Sequence, residues 1–560
     1  MLASARMTLA ERLFSRPGLI AAWVLLVVVQ LPIREVMPPD ESRFAHQAQA
    51  MRDTGDWVVP HIGDNMNVDK PPVLFWSVVI ASLPFERVTD TTSRVPSAVA
   101  ALVVLLLTAR LGSRLWGSRV IGYGGAFVTL TGVEFFQKAQ WCSCDMTMAA
   151  FAFAALTLWG EAAFREPAPS RPGLRIALGW VAVGFGILTK GPVALLWPLF
   201  WVLAEAIARR RFRPLSRIVF SPGVGIAFLI VGGWIYGLGL RAGWSFVYEA
   251  TIHQNLDRYA NAWNSVHPWW FYGYQMPADL VPWALFLPAA IATAMGRGAA
   301  VEDERGKIAA RSASLFVVFA LLLFSGSSGK RGVYMMESFP AVSLLVAAAV
   351  LGSGFGTLGF ILMGLLGVAI GAVAPLAIVF RAIAVPDVLA AASGWLGLAA
   401  LIVGGLALAS GALSGLALLR RGRREAALAS AVSGTLVALL LAGTVGGAVW
   451  SRMQAARPFC ALMDAAAPKG ERIAVDHAKF EQFMFYTLRK TTEYWTDDEL
   501  VGILASGRCR YAILTHERYD RMRGSPPIDG MKLLAEGRIS RGAFVLLGPA
   551  AARSGSGATP

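Results

Sequence analysis

"VLFWSVVIASLPFER", residues 73–87, is the stretch on which the topology of this chain turns. Its apolar part runs from Val73 to Phe85 and then meets Glu86 and Arg87. As a helix it would rise about 20 Å, short of the roughly 30 Å hydrocarbon core of a bilayer. About thirteen other apolar runs reach spanning length, near residues 17–33, 94–111, 120–138, 145–162, 174–189, 191–208, 218–240, 279–296, 312–326, 334–353, 357–380, 390–419 and 427–449. If Val73–Phe85 does not span, "ARLGSRLWGSR" (109–119), "FREPAPSRPGLR" (164–175), "RRRFRPLSR" (209–217), "MGRGAAVEDERGKIAAR" (295–311) and "RRGRREA" (420–426) all share the side of the basic N-terminus with its Arg6, Arg12 and Arg16. That is the distribution the positive-inside rule requires. If it does span, every later basic loop flips outward and Asp40 and Asp145 fall on opposite sides. The run is therefore read as an interfacial or re-entrant helix along the outer leaflet.

Composition agrees with a polytopic membrane protein. Of 560 residues, 56% are hydrophobic and 16% charged, and the mean hydropathy is +0.54. The formal charge of +15 sits in short clusters between apolar runs, so it points to membrane topology and not to nucleic acid. The N-terminal run has no small-residue cleavage site and reads as a retained first helix. The four cysteines, Cys142, Cys144, Cys460 and Cys509, form no CxxC pair; a Cys460–Cys509 disulfide is compatible with an oxidising compartment. P-loop, dinucleotide and zinc-protease signatures are absent, and His477 and His516 lack metal-ligand spacing. No cofactor is called for, no metal ligands are assigned, and a divalent metal stays open. From Ser451 the chain turns polar, with strand-like runs "ERIAVDH", "CRYAILTH" and "GAFVLLG" around helical "KFEQFMFYTLR" and "DDELVGILASG". The expected architecture is mostly α. It has a membrane domain over 1–450 with its first outer loop at about 34–93 and interfacial helices there, and a small α/β domain over 451–560.

Charge beside hydrocarbon is costly, which makes it a functional-site hypothesis by default. The outward loops gather Asp40, Glu41, Asp69, Lys70, Asp145, Lys190 in "LTKGP", "HQNLDRY" (253–259), "HPWW" (267–270) and "GKRGVY" (329–334). Cations there suit a phosphate or pyrophosphate group, and carboxylates suit proton abstraction or acceptor orientation. The reading is a site for a lipid-linked phosphorylated substrate. The aromatic cluster Trp269–Tyr272 reads as an interface belt.

"PPDESRFA" followed by "GDWVVPHIGDNMNVDKPP" resembles the first-loop signature of the GT-C glycosyltransferases, and within them the bacterial aminoarabinose lipid A transferases and their protein O-mannosyltransferase relatives. "RVPSAVAAL", "CDMTMAAF", "LTKGPVALLWPL" and "GKRGVYMMESFPAVSLL" follow in that family's order, so the resemblance covers roughly residues 15–350. It implies a polyprenyl-phosphate sugar as donor. It implies Asp40 and Asp145 as catalytic aspartates, Lys70 and Arg258 as ligands of the donor phosphate, and Lys190 and Tyr334 as cavity-lining residues, with Glu41 and Asp69 beside them. Asp69 stands where the family often has Glu, one methylene longer. The implied activity is inverting transfer to lipid A, or to another envelope glycan or protein, by a monomeric chain of the bacterial inner membrane. Site and tail would then be periplasmic, and the partners would be the donor, the acceptor and membrane lipid. Protein O-glycosylation within the same superfamily is one alternative; a transporter or flippase of lipid-linked sugars is another, although no internal repeat is visible.

Overall fold

The computed structural model describes residues 8–63, 65–67, 69–251, 265–352, 356–379, 395–477, 480–539 and 542–550. They fall into two compact units: Met1–Leu31, Asp69–Leu74 and Arg94–Gly446 in the first, Pro32–Val68, Phe75–Ser93 and Gly447–Pro560 in the second.

The first unit is helical. Among the described residues of the chain, nine helices are long and apolar enough to cross a membrane, and ten if one bent pair counts as a span. The expectation was about thirteen. The bent pair is the 279–296 run: Phe271–Asp279 and Trp283–Ala294 meet at 112°, with Pro277 and Pro282 denying backbone donors at the break. Three other runs fall short as helices. The 17–33 run is Arg16–Leu26 followed by a 3₁₀ turn, Val28–Gln30. The 120–138 run breaks at Thr131–Gly132 into Arg119–Leu130 and Val133–Ala139. The 191–208 run is Val193–Arg209, 17 residues, at the lower limit for spanning. Hydropathy counts apolar residues but is blind to a chain break inside the run, which is why the sequence count exceeds the helical one.

Gly332–Gly352 is the most buried of these helices, with 94% of its apolar window buried; for Arg213–Ala242 the figure is 17%, so that helix lies at the outside of the unit. Where helices approach closely, small residues make room: a Cβ on Gly411 would lie 3.0 Å from Cα of Gly434, so Trp395–Arg420 and Arg424–Leu441 pack nearly backbone to backbone. The fully buried Arg94 gives Nη1 to the Leu31 carbonyl at 2.9 Å, which explains the arginine of "RVPSAVAAL" as a clamp on the first helix.

The second unit joins the first loop to the tail. Val73–Ser82 is a helix of ten residues, about 15 Å long and half a hydrocarbon core. Asp90 accepts the Val36 N–H at 2.9 Å and the Tyr486 hydroxyl at 2.6 Å and is ion-paired with Arg457. Glu35 accepts the Ala456 N–H at 2.8 Å. The sequence placed a boundary between 450 and 451; the last segment of this unit opens at Gly447, and residues of the first loop belong with it.

Strands β1 (His61–Ile62) and β2 (Asn65–Met66) form a small antiparallel ladder. Strands β3 (Ile473–Asp476), β4 (Thr491–Tyr494), β5 (Tyr511–Thr515), β6 (Met531–Ile539) and β7 (Gly542–Pro549) make one sheet in the order β4-β3-β5-β7-β6. Its first three strands are parallel; β7 and β6 add antiparallel. Period-two alternation splits the core between the two faces. Ile473, Val475, Ile513 and Leu546 pack with Phe459 and Phe483 on one face; Ala474, Leu514 and Val545 pack with Leu500 and Met522 on the other. Cys460 lies in the first cluster and Cys509 in the second, and both thiols are free and buried. The pairing considered from sequence is thus excluded by the sheet that lies between them.

His46, on the Asp40–Thr54 helix, is buried beside Gly63, whose N–H reaches its Nε2 at 3.4 Å. Burial pushes its pKa down to about 4, so the folded state holds it neutral. The unfolded chain takes up that proton near pH 6.5, so it binds more protons than the folded chain between pH 4 and 6.5. Stability conferred by neutral His46 is complete above pH 6.5 and falls as pH drops through that window, by about 3 kcal/mol in all. His46→Gln is expected to flatten the acid limb of the melting-temperature profile; an unchanged profile would refute the assignment.

Candidate active site

The helix Cys144–Phe164 starts where it does because Ser143 caps it: its Oγ accepts the Asp145 N–H at 3.2 Å and donates to Asp145 Oδ2 at 2.6 Å. Ser97, the serine of "RVPSAVAAL", ties this start down, donating to the Ser143 carbonyl and accepting its N–H, both at 3.3 Å. Asp145 thus sits in the first helical turn, where the helix dipole favours a carboxylate. Helix Pro172–Lys190 ends at Gly191, whose φ of 100° is open to glycine, and Pro192 caps the next helix. "LTKGP" is therefore a helix-to-helix turn that leaves Lys190 at a helix C-terminus, where a cation is favoured.

Lys190 Nζ and Asp145 Oδ1 form an ion pair, both side chains about 85% buried. The ammonium also lies 4.9 Å from the centroid of the Tyr334 ring. Lys70 Nζ is 3.0 Å from Asp69 Oδ1 and also donates to the Asp69 carbonyl at 2.9 Å. Lys70, Asp69, Asp145 and Lys190 all lie within electrostatic range of Cys144. Five of the sequence-derived residues, Asp69, Lys70, Asp145, Lys190 and Tyr334, therefore gather in the first unit.

Asp40 and Glu41 belong to the second unit. Asp40 opens the helix Asp40–Thr54 and is salt-bridged to Arg43 at 2.6 Å, with about a third of its side chain exposed. Glu41 is fully buried, accepts the Met37 N–H at 2.9 Å and meets Arg34 at 3.3 Å. Those bonds make it the brace of the turn that presents Asp40. Arg258 lies outside the described residues. Lys330 is buried, with its Nζ donating to the carbonyls of His267 and Ser327, so it staples two loop segments. Trp269 and Trp270 are exposed, as an interface belt requires.

Glu337 is the residue that the sequence reading passed over. It is 1% exposed, neither carboxylate oxygen has a hydrogen-bond partner among the described residues, and it lies within electrostatic range of Lys190 and Asp145. Lys190 is therefore paired with Asp145 against the Tyr334 π-face, with the Glu337 carboxylate in electrostatic range. The signal was present inside "GKRGVYMMESFP", where one Glu interrupts an apolar helix start. Among the described residues no cluster of three His, Cys, Asp or Glu is arranged to hold a metal ion. The arrangement can hold a phosphate between ammonium groups and present carboxylates to hydroxyl or amino groups.

The chain is similar to known proteins. Residues 14–238 match the family model described as dolichyl-phosphate-mannose-protein mannosyltransferase. An undecaprenyl phosphate-alpha-4-amino-4-deoxy-L-arabinose arabinosyl transferase of Pseudomonas fluorescens (strain Pf0-1) is 30% identical over 348 residues, 61% of this chain and 59% of that one. A similarly named enzyme of Erwinia tasmaniensis is 28% identical over 374 residues, 64% of this chain and 63% of that one. The chain thus spans about three fifths of the length of the curated relatives it matches. The crystal structure of ArnT from Cupriavidus metallidurans bound to undecaprenyl phosphate superposes with a TM-score of 0.76 at 19% identity, over 94% of this chain and 97% of that one. The chain has the fold of that ArnT structure. The likeness in fold runs nearly end to end, and the family-model match covers the part that holds Asp145 and Lys190.

Proposed function

We propose that this chain is an inverting glycosyltransferase of the GT-C superfamily that moves a sugar from polyprenyl phosphate to lipid A or another cell-envelope acceptor. In this reading it lies in the bacterial inner membrane with its site and tail on the periplasmic side. The observation that carries the proposal is the Asp145–Lys190 pair at two helix ends, with Lys70, Asp69, Tyr334 and Glu337 around it. The likeness in sequence to transferases that use undecaprenyl phosphate supports it.

The donor phosphate is held by Lys70, Lys190 and Arg258. As the bond from the anomeric carbon to the phosphate oxygen breaks, its electron pair leaves with the phosphate, and those fixed cations stabilise the growing charge. The acceptor oxygen attacks from the opposite face, which inverts the anomeric centre. Asp40 takes the proton when the acceptor is a hydroxyl and positions the nucleophile when it is an already ionised phosphate. Asp145 keeps Lys190 oriented, and Glu41 keeps the Asp40 turn in place. Because the matching family model describes protein mannosyltransferases, a protein hydroxyl is the second acceptor to test.

The test is mass spectrometry of lipid A and surface glycans from cells with and without the gene, followed by transfer from a synthetic polyprenyl-phosphate sugar by the purified protein. Identical lipid A and glycans, with no donor consumed in detergent, would overturn the reading. Lys70→Ala is expected to raise the donor KM about ten- to a hundredfold, the worth of one charge-assisted hydrogen bond. Unchanged KM and kcat would remove Lys70 from the site.

A further inference from the structure

We propose that the arginine-rich face of the membrane unit carries a second binding site, one for the phosphodiester headgroup of an anionic phospholipid. A cleft of about 680 Å³ opens there at the ends of helices Asp90–Trp116, Cys144–Phe164, Val193–Arg209 and Glu304–Gly326. That is the size of a small-molecule site. Five arginines line it: Arg110, Arg114, Arg165, Arg209 and Arg305. Phe164 and Ile308 supply apolar wall.

The guanidinium groups are fixed from behind. Glu161 binds Arg110 through Nε at 2.5 Å and Nη2 at 2.7 Å, and Arg175 at 2.7 Å. Glu205, fully buried, binds Arg114 at 2.7 Å and Arg209 at 3.0 Å. Arg305 gives Nε and Nη2 to the carbonyls of Leu115 and Arg114. These bonds leave donors over. Arg110 and Arg209 use Nε and Nη2, so Nη1 of each has no partner among the described residues. Arg165 forms no ion pair among them, and Glu166 at the rim is engaged by Arg211 at 2.6 Å. An arginine fork held by a carboxylate on one edge and open on the other is preorganised for a phosphate.

Position selects a lipid over a soluble anion. Arg114 and Arg209 stand in the last turns of apolar helices, within the basic loops that the positive-inside pattern sets at a membrane face, and the Arg209 guanidinium covers the Phe164 ring at 5.7 Å. Basic pockets between helices at that depth meet phospholipid headgroups. The apolar wall offers the glycerol and upper acyl carbons a surface that inorganic phosphate would not use.

The test uses the full chain in nanodiscs and in detergent, read by native mass spectrometry. The wild type is expected to retain phosphatidylglycerol at least tenfold over phosphatidylethanolamine. Arg110→Gln with Arg165→Gln is expected to erase that preference, while Arg175 still satisfies Glu161 and the melting temperature in lipid-free detergent stays put. Arg165→Glu alone, an exposed change with no partner to strand, should weaken retention at least threefold and guards against misfolding of the double variant. Equal retention of the two lipids by the wild type, or an unchanged preference in both variants, overturns the site. Thermal stabilisation by inorganic phosphate in detergent that matches the effect of phosphatidylglycerol overturns the lipid and leaves a soluble-anion pocket.

Discussion

Asp145→Asn is expected to lower kcat for sugar transfer by about 10²–10⁴, the range for a catalytic carboxylate acting on its own or through a partner. The substitution keeps the size of the side chain and an acceptor for the Ser143 hydroxyl. It removes the charge that faces Lys190 in a pair both of whose members are mostly buried. Breaking such a pair from one side also costs about 3–5 kcal/mol of stability, so activity must be read on protein shown to be folded. Replacing both members separates the two effects. Asp145→Leu with Lys190→Met fills the space with apolar side chains and should recover most of the melting temperature, yet stay inactive because neither the carboxylate nor the ammonium remains. Activity in the double variant, or wild-type kcat in Asp145→Asn, would dismiss the pair from the chemistry. Glu337→Gln adds a check on the neighbour: it leaves Lys190 paired with Asp145, so transfer should fall while the fold holds.

The second large effect is expected at Asp40, and its size reports the acceptor. Asp40 is partly exposed and bonded to Arg43 within its own helix turn, so Asp40→Asn should change stability by less than about 1 kcal/mol. With a hydroxyl acceptor the variant loses a general base, and transfer should drop by about 10²–10⁴. With a lipid A phosphate the nucleophile is already ionised, and the drop should be clearly smaller. Parallel assays on lipid A and on a serine- or threonine-bearing peptide therefore discriminate the two acceptor classes. Wild-type rates on every acceptor would remove Asp40 from the site.

Much of this was legible in the chain itself, because the signals are local. Hydropathy identified the membrane segments, and the shortness of Val73–Phe85 denied it a span, as its ten-residue helix bears out. The three apolar strand runs of the tail became β3, β5 and β7. The strands passed over were the two edges: β4 is "TTEY", and β6, "MKLLAEGRI", carries a register irregularity at Leu533/Ala535. Edge strands meet solvent and carry charge, so alternation fails there. Uninterrupted long helices among the described residues are fewer than the apolar runs for a related reason, since Gly132 and Pro282 end helices inside stretches that stay apolar.

What the sequence determined alone was the class of the protein and the identity of its costly charges, because burying a Lys or Asp beside hydrocarbon is improbable at any register. Only the tertiary structure decided which charges meet. It put Asp145 and Lys190 together by bringing a helix start to a helix end, and added Glu337 from a third segment. It withdrew Glu41 and Lys330 into bracing bonds, and joined the first loop to the tail through Asp90, Tyr486 and Arg457. Propensity and periodicity act over a few residues, whereas an ion pair depends on how distant helices pack, and no local pattern encodes that.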